Sequence, residues 1–142
     1  LEASVKSWTE LIALAKAHNT ILSLENVYDK EPRLLRRLFE ALASDAVCFC
    51  LDTGHFNAFS YTPLKAWLKE LGKYLGQLHL HDNFGERDEH LAIDKGTFPF
   101  DELFAWLRKN KTKPVITLEA HDQKELWKSI DNLKKAGYLD FY

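Results

Sequence analysis

The stretch that decides the fold is Leu78-His79-Leu80-His81-Asp82-Asn83, which is followed by Asp-Glu-His at residues 88–90. These two segments hold three histidines and three acidic residues, at the end of a run with the composition of a buried strand. Placing such groups beside a protein core costs free energy unless they are paired or gathered by a cation. Because imidazole nitrogens and carboxylate oxygens suit divalent ions, the stretch predicts a metal site at a strand end.

Short apolar runs alternate with amphipathic helices on both sides of this stretch. The strands are predicted at residues 21–25, 46–51, 75–80 and 114–119. A helix at residues 2–18 precedes the first strand, and apolar residues spaced three and four apart predict a helix after every strand, at 32–42, 62–72, 100–107 and 126–137. This order predicts a parallel α/β sheet with right-handed crossovers, in a single domain over residues 1–142.

Hydrophobic content and net charge indicate which kinds of fold and binding partner suit this chain. The 142 residues are 46% hydrophobic, which is enough for a core without disulfides, and 19 basic against 21 acidic residues give a net charge of -2. The chain lacks the excess positive charge typical of nucleic-acid binders, which counts against such a partner. No apolar run approaches the roughly 18 residues of a membrane span, and residues 1–20 do not resemble a signal peptide. We therefore expect a cytoplasmic protein with no membrane partner.

Every predicted strand ends in an ionisable residue at its carboxyl side. These four residues are Glu25, Asp52, His79 and Glu119. A single charged residue after a strand is more often a solvated loop residue or a helix cap, but parallel α/β folds bind ligands at this edge, where all four would converge. Three carboxylates and one imidazole form a hard oxygen and nitrogen site, suited to Mn, Mg, Co or Zn.

Strand alternation predicts which side chains lie beneath the candidate ligands, because residues two apart face the same way. The next inward layer would contain Ser23, Cys50, Gln77 and Thr117, and the layer below it Ile21, Cys48, Leu75 and Val115. The outward set would be Leu22, Leu24, Phe49, Leu51, Leu78, Leu80, Ile116 and Leu118. Small or polar residues inside and large apolar ones outside are typical of a barrel interior and its wall.

Further polar and aromatic residues follow the same strand ends. Candidates for a second metal or for substrate binding are His55, Asp88 and His90, and candidates for hydrogen bonds to the ligands are Asn26, His81 and Asp82. His18 and His121 lie outside this pattern and are given no role. Aromatic residues are expected in loops at this edge, as pocket walls or as caps of the core: Phe56, Phe59, Tyr61, Phe84 and Phe98.

These motifs resemble those of the carboxyl-terminal half of the xylose isomerase-like TIM barrels, also called AP endonuclease family 2. Leu-Glu-Asn at 24–26, Leu-Asp-Thr-Gly-His at 51–55, His-Leu-His-Asp-Asn at 79–83 with Asp-Glu-His at 88–90, and Leu-Glu at 118–119 are similar to its fifth to eighth strand motifs. The resemblance runs nearly end to end. It implies a parallel (β/α)4 half of a TIM barrel, equivalent to strands 5–8 and preceded by one helix.

The resemblance also implies a reaction. By resemblance to the sugar or sugar-phosphate isomerases and epimerases, the metal would be bound by Glu25, Asp52, His79 and Glu119. Glu25 and Glu119 would move a proton between adjacent carbons through an enediolate, while His55 would contact sugar oxygens. We expect this activity. The alternatives are zinc-dependent phosphodiester hydrolysis beside an abasic sugar, with His55, Asp88 and His90 on a third zinc as in endonuclease IV, and an inactive structural or binding module.

The chain departs from the family in the number of strands, four instead of eight. The histidines that endonuclease IV takes from its second and third strands have no counterpart in this chain. The loop at 83–88 is also short, and Asp94-Lys95-Gly96 stands where relatives often have Gly-Glu-Gly. Four strands leave a sheet edge and the inner face uncovered. Two explanations compete: the chain is a fragment whose missing N-terminal half-barrel completes the site, or two copies pair through their open edges into a homodimer that resembles a whole barrel. We favour the fragment and expect the isolated chain to dimerise, and an active and an inactive isolated chain both stay open as alternatives.

Overall fold

A computed structural model describes residues 1–142 as a four-stranded parallel sheet with helices against one face. The strands are β1 (Leu22–Glu25), β2 (Val47–Asp52), β3 (Leu75–Leu80) and β4 (Val115–Leu118), and they pair in chain order. The helices are α1 (Glu2–Ala17), α2 (Arg33–Leu42), α3 (Thr53–Phe59), α4 (Leu64–Leu71), a 3-10 turn (Gly72–Tyr74), α5 (Phe100–Asn110) and α6 (Gln123–Lys135). The predicted parallel α/β class is confirmed.

Helix α3 is absent from the sequence-based assignment, which places Phe56 and Phe59 in a loop. It starts directly after β2 because the carboxylate of Asp52 accepts a hydrogen bond from the backbone N–H of His55, at 2.7 Å, and so caps the helix. Phe56 is buried and packs edge-to-face on Trp67. The carboxylate that ends the strand therefore also begins the next helix.

The core lies between the sheet and the helices, and it is built from the outward-facing strand residues. Phe49, Leu51, Leu78 and Leu80 are each at most 1% exposed. This burial agrees with the predicted outward set, because large apolar side chains on that face are removed from water by the helices.

The expectation that Leu75 faces inward is wrong. The register between β2 and β3 shifts so that Phe49 pairs with Leu75 while the next residue, Cys50, pairs with Gln77. Leu75 therefore joins the core, and Gly76 takes the inward place, where a Cβ would lie 2.7 Å from Cys48 Cβ. Strict alternation fails at such a bulge, and a glycine within a strand is its usual signal.

Both outer strands have one unpaired edge. Strands β1 and β4 each pair with a single neighbour. Ile21, just before β1, is 62% exposed, and Val115, the first residue of β4, is 67% exposed. The sheet is thus open where a closed barrel would continue. No helix combines the length and the hydrophobicity of a membrane-spanning segment.

Candidate metal centre

The four predicted ligands meet at the carboxyl edge of the sheet. Glu25 and Asp52 are the last residues of β1 and β2, His79 lies one residue before the end of β3, and Glu119 directly follows β4. The backbone N–H of Glu119 donates to the carbonyl of Leu80 at 3.1 Å, which continues the β4 pairing by one residue. The parallel register therefore brings all four side chains to one end of the inner face.

The three carboxylates surround one nitrogen of His79. Its Nδ1 lies 3.3 Å from Glu25 Oε2, 2.9 Å from Glu119 Oε1 and 3.8 Å from Asp52 Oδ2. This nitrogen is buried and has no hydrogen-bond partner, although the oxygens are close. One ligand atom from each of Glu25, Asp52 and His79 lies within 4.8 Å of the others. An orphaned imidazole nitrogen among gathered carboxylates fits a divalent cation, which would balance their charge and, with the ring proton on the other nitrogen, take the lone pair of this one.

Asp52 is held in place by His81 and Asn26. Its side chain is fully buried, and its two oxygens lie 2.9 and 3.1 Å from His81 Nε2. The side-chain amide of Asn26 accepts a hydrogen bond from the Asp52 backbone N–H and donates one to the Asp52 backbone carbonyl. Burial by itself would raise the pKa of Asp52, but hydrogen bonds and charge from His81, with help from His55, lower it. The carboxylate is therefore kept charged.

His81 itself is fully buried against helix α3. A Cβ on Gly54 would lie 2.0 Å from Cε1 of this ring, so only glycine leaves room for it. Burial opposes protonation of His81, but the hydrogen bond and charge of Asp52 outweigh it, so that its pKa is raised. Of the residues predicted to support the ligands, His81 and Asn26 thus touch Asp52 directly.

Asp82, the third predicted support, has a different place. Its carboxylate accepts hydrogen bonds from the backbone N–H groups of Asn83, Gly96 and Phe98, at 2.9, 2.7 and 3.1 Å. These bonds fold the loop between β3 and α5 back on itself. Asp82 therefore shapes the loop that carries Asp88 and His90 and does not contact a candidate ligand side chain.

The predicted second group also comes together, around Asp88. Its Oδ2 lies 3.3 Å from His55 Nε2 and 3.2 Å from His90 Nε2. The other ring nitrogen of His55 lies 2.8 Å from Glu25 Oε1, and so connects this group to the first. The two groups therefore form one continuous polar surface at the carboxyl edge of the sheet.

His121 belongs to this surface, although no role for it is predicted from the sequence. Its ring stacks on His90 with centroids 4.1 Å apart, and His90 stacks on His81 at 3.8 Å with an interplanar angle of 8°. His121 lies in the turn after β4, where no periodic pattern applies, and its position two residues after Glu119 is the only available signal.

The stacking decides how well this histidine group would hold a cation. His81, His90 and Glu119 offer ligand atoms within 4.8 Å of one another. Imidazoles bind metals in the plane of the ring at about 2.0–2.1 Å. Two nearly parallel rings 3.8 Å apart direct their lone pairs along separate planes, so one ring would have to turn. The group formed by Glu25, Asp52 and His79 is the better cation site.

The sequence profile of the xylose isomerase-like TIM barrel family, AP endonuclease family 2, matches residues 1–136. The chain belongs to this family. An uncharacterized protein of Methanocaldococcus jannaschii is 28% identical over 137 residues, which cover 95% of this chain and 53% of that protein. The probable endonuclease 4 of Mycoplasmopsis synoviae is 29% identical over 120 residues, or 72% of this chain and 43% of the relative.

Solved structures contain the same fold over about half of their length. A D-tagatose 3-epimerase-like protein superposes with a TM-score of 0.82 at 26% identity, over 96% of this chain and 53% of that one. A protein of Thermus thermophilus, from a crystal soaked with ZnCl2, has a TM-score of 0.71 at 27% identity, over 94% and 54%. The chain thus spans about half the length of the relatives it matches, which confirms the predicted family and the half-barrel fold.

Proposed function

We propose that this chain supplies the metal-binding half of a sugar or sugar-phosphate isomerase or epimerase, which moves a proton between adjacent carbons of its substrate. The observation that carries the proposal is the convergence of Glu25 and Glu119, from the two outermost strands, on the same nitrogen of His79 at 3.3 and 2.9 Å. The similarity to a D-tagatose 3-epimerase-like protein supports a small sugar as substrate.

Glu25, Asp52, His79 and Glu119 would hold the divalent ion. When bound, the ion supplies positive charge that orients the sugar's carbonyl and hydroxyl oxygens and makes the neighbouring C–H more acidic. The lowered pKa of Asp52 suits a permanent anionic ligand. Glu25 and Glu119 are less buried than Asp52, and their carboxylates are open to a substrate on the inner face.

The two glutamates would exchange the proton. Burial, and after it the negative charge of Asp52, raise the pKa of Glu25, so that this carboxyl holds a proton at higher pH than an exposed glutamate. A group of this kind serves as general acid or base. One carboxylate would take the proton from a carbon beside the carbonyl. The carboxylic acid form of the other glutamate would donate a proton to the adjacent carbon. His55, at 2.8 Å from Glu25, would orient this carboxylate and contact a sugar oxygen.

The test combines metal analysis with a panel of aldoses and ketoses. Because the chain spans half of its relatives, it is assayed both alone and joined behind the amino-terminal half of the D-tagatose 3-epimerase-like relative. We expect one tightly bound divalent ion, and a loss of turnover of about 10²–10⁴-fold for Glu25→Gln and for Glu119→Gln. Glu10→Gln, on the exposed surface of α1, is the matched control. Purified protein without a stoichiometric ion would overturn the proposal.

A second candidate is phosphodiester hydrolysis at abasic sites. It is favoured by the position of Asp88 between His55 and His90, within 3.3 Å of both, and by the similarity to the probable endonuclease 4. The net charge of -2 counts against it, because DNA binding draws on basic surface. Incision of an abasic duplex that requires zinc and disappears in Glu25→Gln would replace the first proposal with this one.

A further inference from the structure

Gln77 contacts the candidate metal ligand His79 on the side away from the carboxylates. The two residues lie two positions apart in β3 and face the same way. The Gln77 amide nitrogen lies 3.0 Å from His79 Nε2 and 3.3 Å from the hydroxyl of Thr117 on β4. The two ring nitrogens of His79 therefore have different neighbours, the Gln77 amide at Nε2 and the carboxylates of Glu25, Asp52 and Glu119 around Nδ1.

The state of Nε2 determines what Nδ1 can bind. A neutral imidazole carries one proton, on one of its two nitrogens. With the Gln77 amide nitrogen donating to Nε2, as in the structure, the ring proton lies on Nδ1, which then has no lone pair for a cation. Binding a cation through Nδ1 requires the proton on Nε2, and that N–H needs an acceptor.

The carbonyl oxygen of Gln77 is the acceptor within reach. The oxygen and nitrogen of an amide have nearly the same size, so a half turn of the Gln77 side chain exchanges them in the same space. The hydroxyl of Thr117 is compatible with both orientations, because it accepts from the amide nitrogen in one and donates to the oxygen in the other.

We propose that Gln77 is a positioning residue for the metal site, whose amide turns between two orientations and thereby selects which nitrogen of His79 is free to bind a cation. The inference rests on the metal site of the proposed function and assigns a residue outside the ligand set. Without a metal, Gln77 donates to Nε2 and the proton is on Nδ1. With a metal, Nε2–H donates to the Gln77 oxygen, which makes Nδ1 the ligand atom.

The variants separate positioning from packing. Gln77→Leu keeps most of the side-chain volume but removes both hydrogen-bonding groups, whereas Gln77→Glu keeps an acceptor for Nε2–H. The matched control is Ser23→Ala, at another inward residue. The Ser23 hydroxyl lies 3.4 Å from Cys48 Sγ and contacts no candidate ligand. We expect Gln77→Leu to weaken Zn²⁺ or Mn²⁺ binding about 10–100-fold in calorimetry, and Gln77→Glu and Ser23→Ala to bind as tightly as the unmodified chain.

A spectroscopic readout tests the tautomer in the unmodified chain, so that the result does not depend on a variant that fails to fold. Two-dimensional ¹H–¹⁵N NMR of the histidine rings distinguishes Nδ1–H from Nε2–H. We expect the His79 proton to move from Nδ1 to Nε2 on addition of Zn²⁺. Tight zinc binding with the proton still on Nδ1, or equal affinity in Gln77→Leu, would overturn this inference and leave the metal site standing. Absence of any zinc binding by the unmodified chain would overturn both.

Discussion

The close packing of His81 against Gly54 permits a double-mutant test of how Asp52 is positioned. In Gly54→Ala, the new Cβ would lie 2.0 Å from His81 Cε1 and 2.4 Å from its Nδ1. Carbon contacts are normally about 3.5–4.0 Å, so the ring must retreat by about 1.5 Å. Such a shift carries Nε2 away from the Asp52 oxygens that now lie 2.9 and 3.1 Å from it.

The expected cost follows from these two losses. Overpacking a core costs about 1–3 kcal/mol, and losing a hydrogen bond to a charged group costs about 1.5–3 kcal/mol. Alanine is favoured over glycine within a helix by up to about 1 kcal/mol, and Gly54 has a helical backbone without positive φ. Gly54→Ala should therefore lower the free energy of unfolding by about 2–5 kcal/mol.

The same substitution in a His81→Ala background should be neutral or stabilising, because no ring occupies the space that the new methyl group enters. The assay is urea unfolding of the metal-free chain, the two single variants and the double variant, followed by the change in far-ultraviolet circular dichroism. The coupling between the two sites should be about 2–5 kcal/mol. An equal cost of Gly54→Ala in both backgrounds would refute the explanation that His81 needs this glycine in order to hold Asp52.

Three further perturbations probe the charge, the core and the ligand set. Burial and the charge of Asp52 raise the folded-state pKa of Glu25, so the contribution of Glu25 to stability falls as the pH rises from the pKa of the unfolded state through that of the folded state. Urea unfolding of metal-free Glu25→Gln, measured across this pH range, should lack that decline. Leu78→Ala removes a fully buried side chain and should cost about 2–5 kcal/mol, whereas Val115→Ala, at a 67% exposed edge residue, should cost less than about 0.5 kcal/mol in the same unfolding assay. A divalent ion at about a hundred times its dissociation constant should stabilise the chain by about 2.7 kcal/mol, and His79→Ala should abolish this gain in thermal unfolding.

The sequence is sufficient to predict the parallel α/β fold and the strand ends, because both depend on short-range patterns. Apolar strands alternating with amphipathic helices specify a parallel sheet, and its geometry brings Glu25, Asp52, His79 and Glu119 to one edge. The structure places all three carboxylates within 3.8 Å of His79 Nδ1. No spacing in the sequence specifies these distances.

The features that the sequence does not predict depend on contacts between distant segments or on local irregularity. The alternation rule places Leu75 on the wrong face because the shift at Gly76 breaks the period of two. Helix α3 is missed because the sequence presents Asp52 as a candidate metal ligand, whereas in the structure its carboxylate also caps the helix. The stacking of His121 on His90 joins two loops that are separated in sequence, and only the folded chain brings them together.

The most direct test of the metal site is X-ray diffraction at the manganese absorption edge from crystals of the chain soaked in Mn²⁺. We predict an anomalous peak enclosed by the side chains of Glu25, Asp52, His79 and Glu119, with Nδ1 of His79 as its nitrogen ligand. A map without a peak at this position, or with a peak between His81 and His90 alone, would contradict the proposed site.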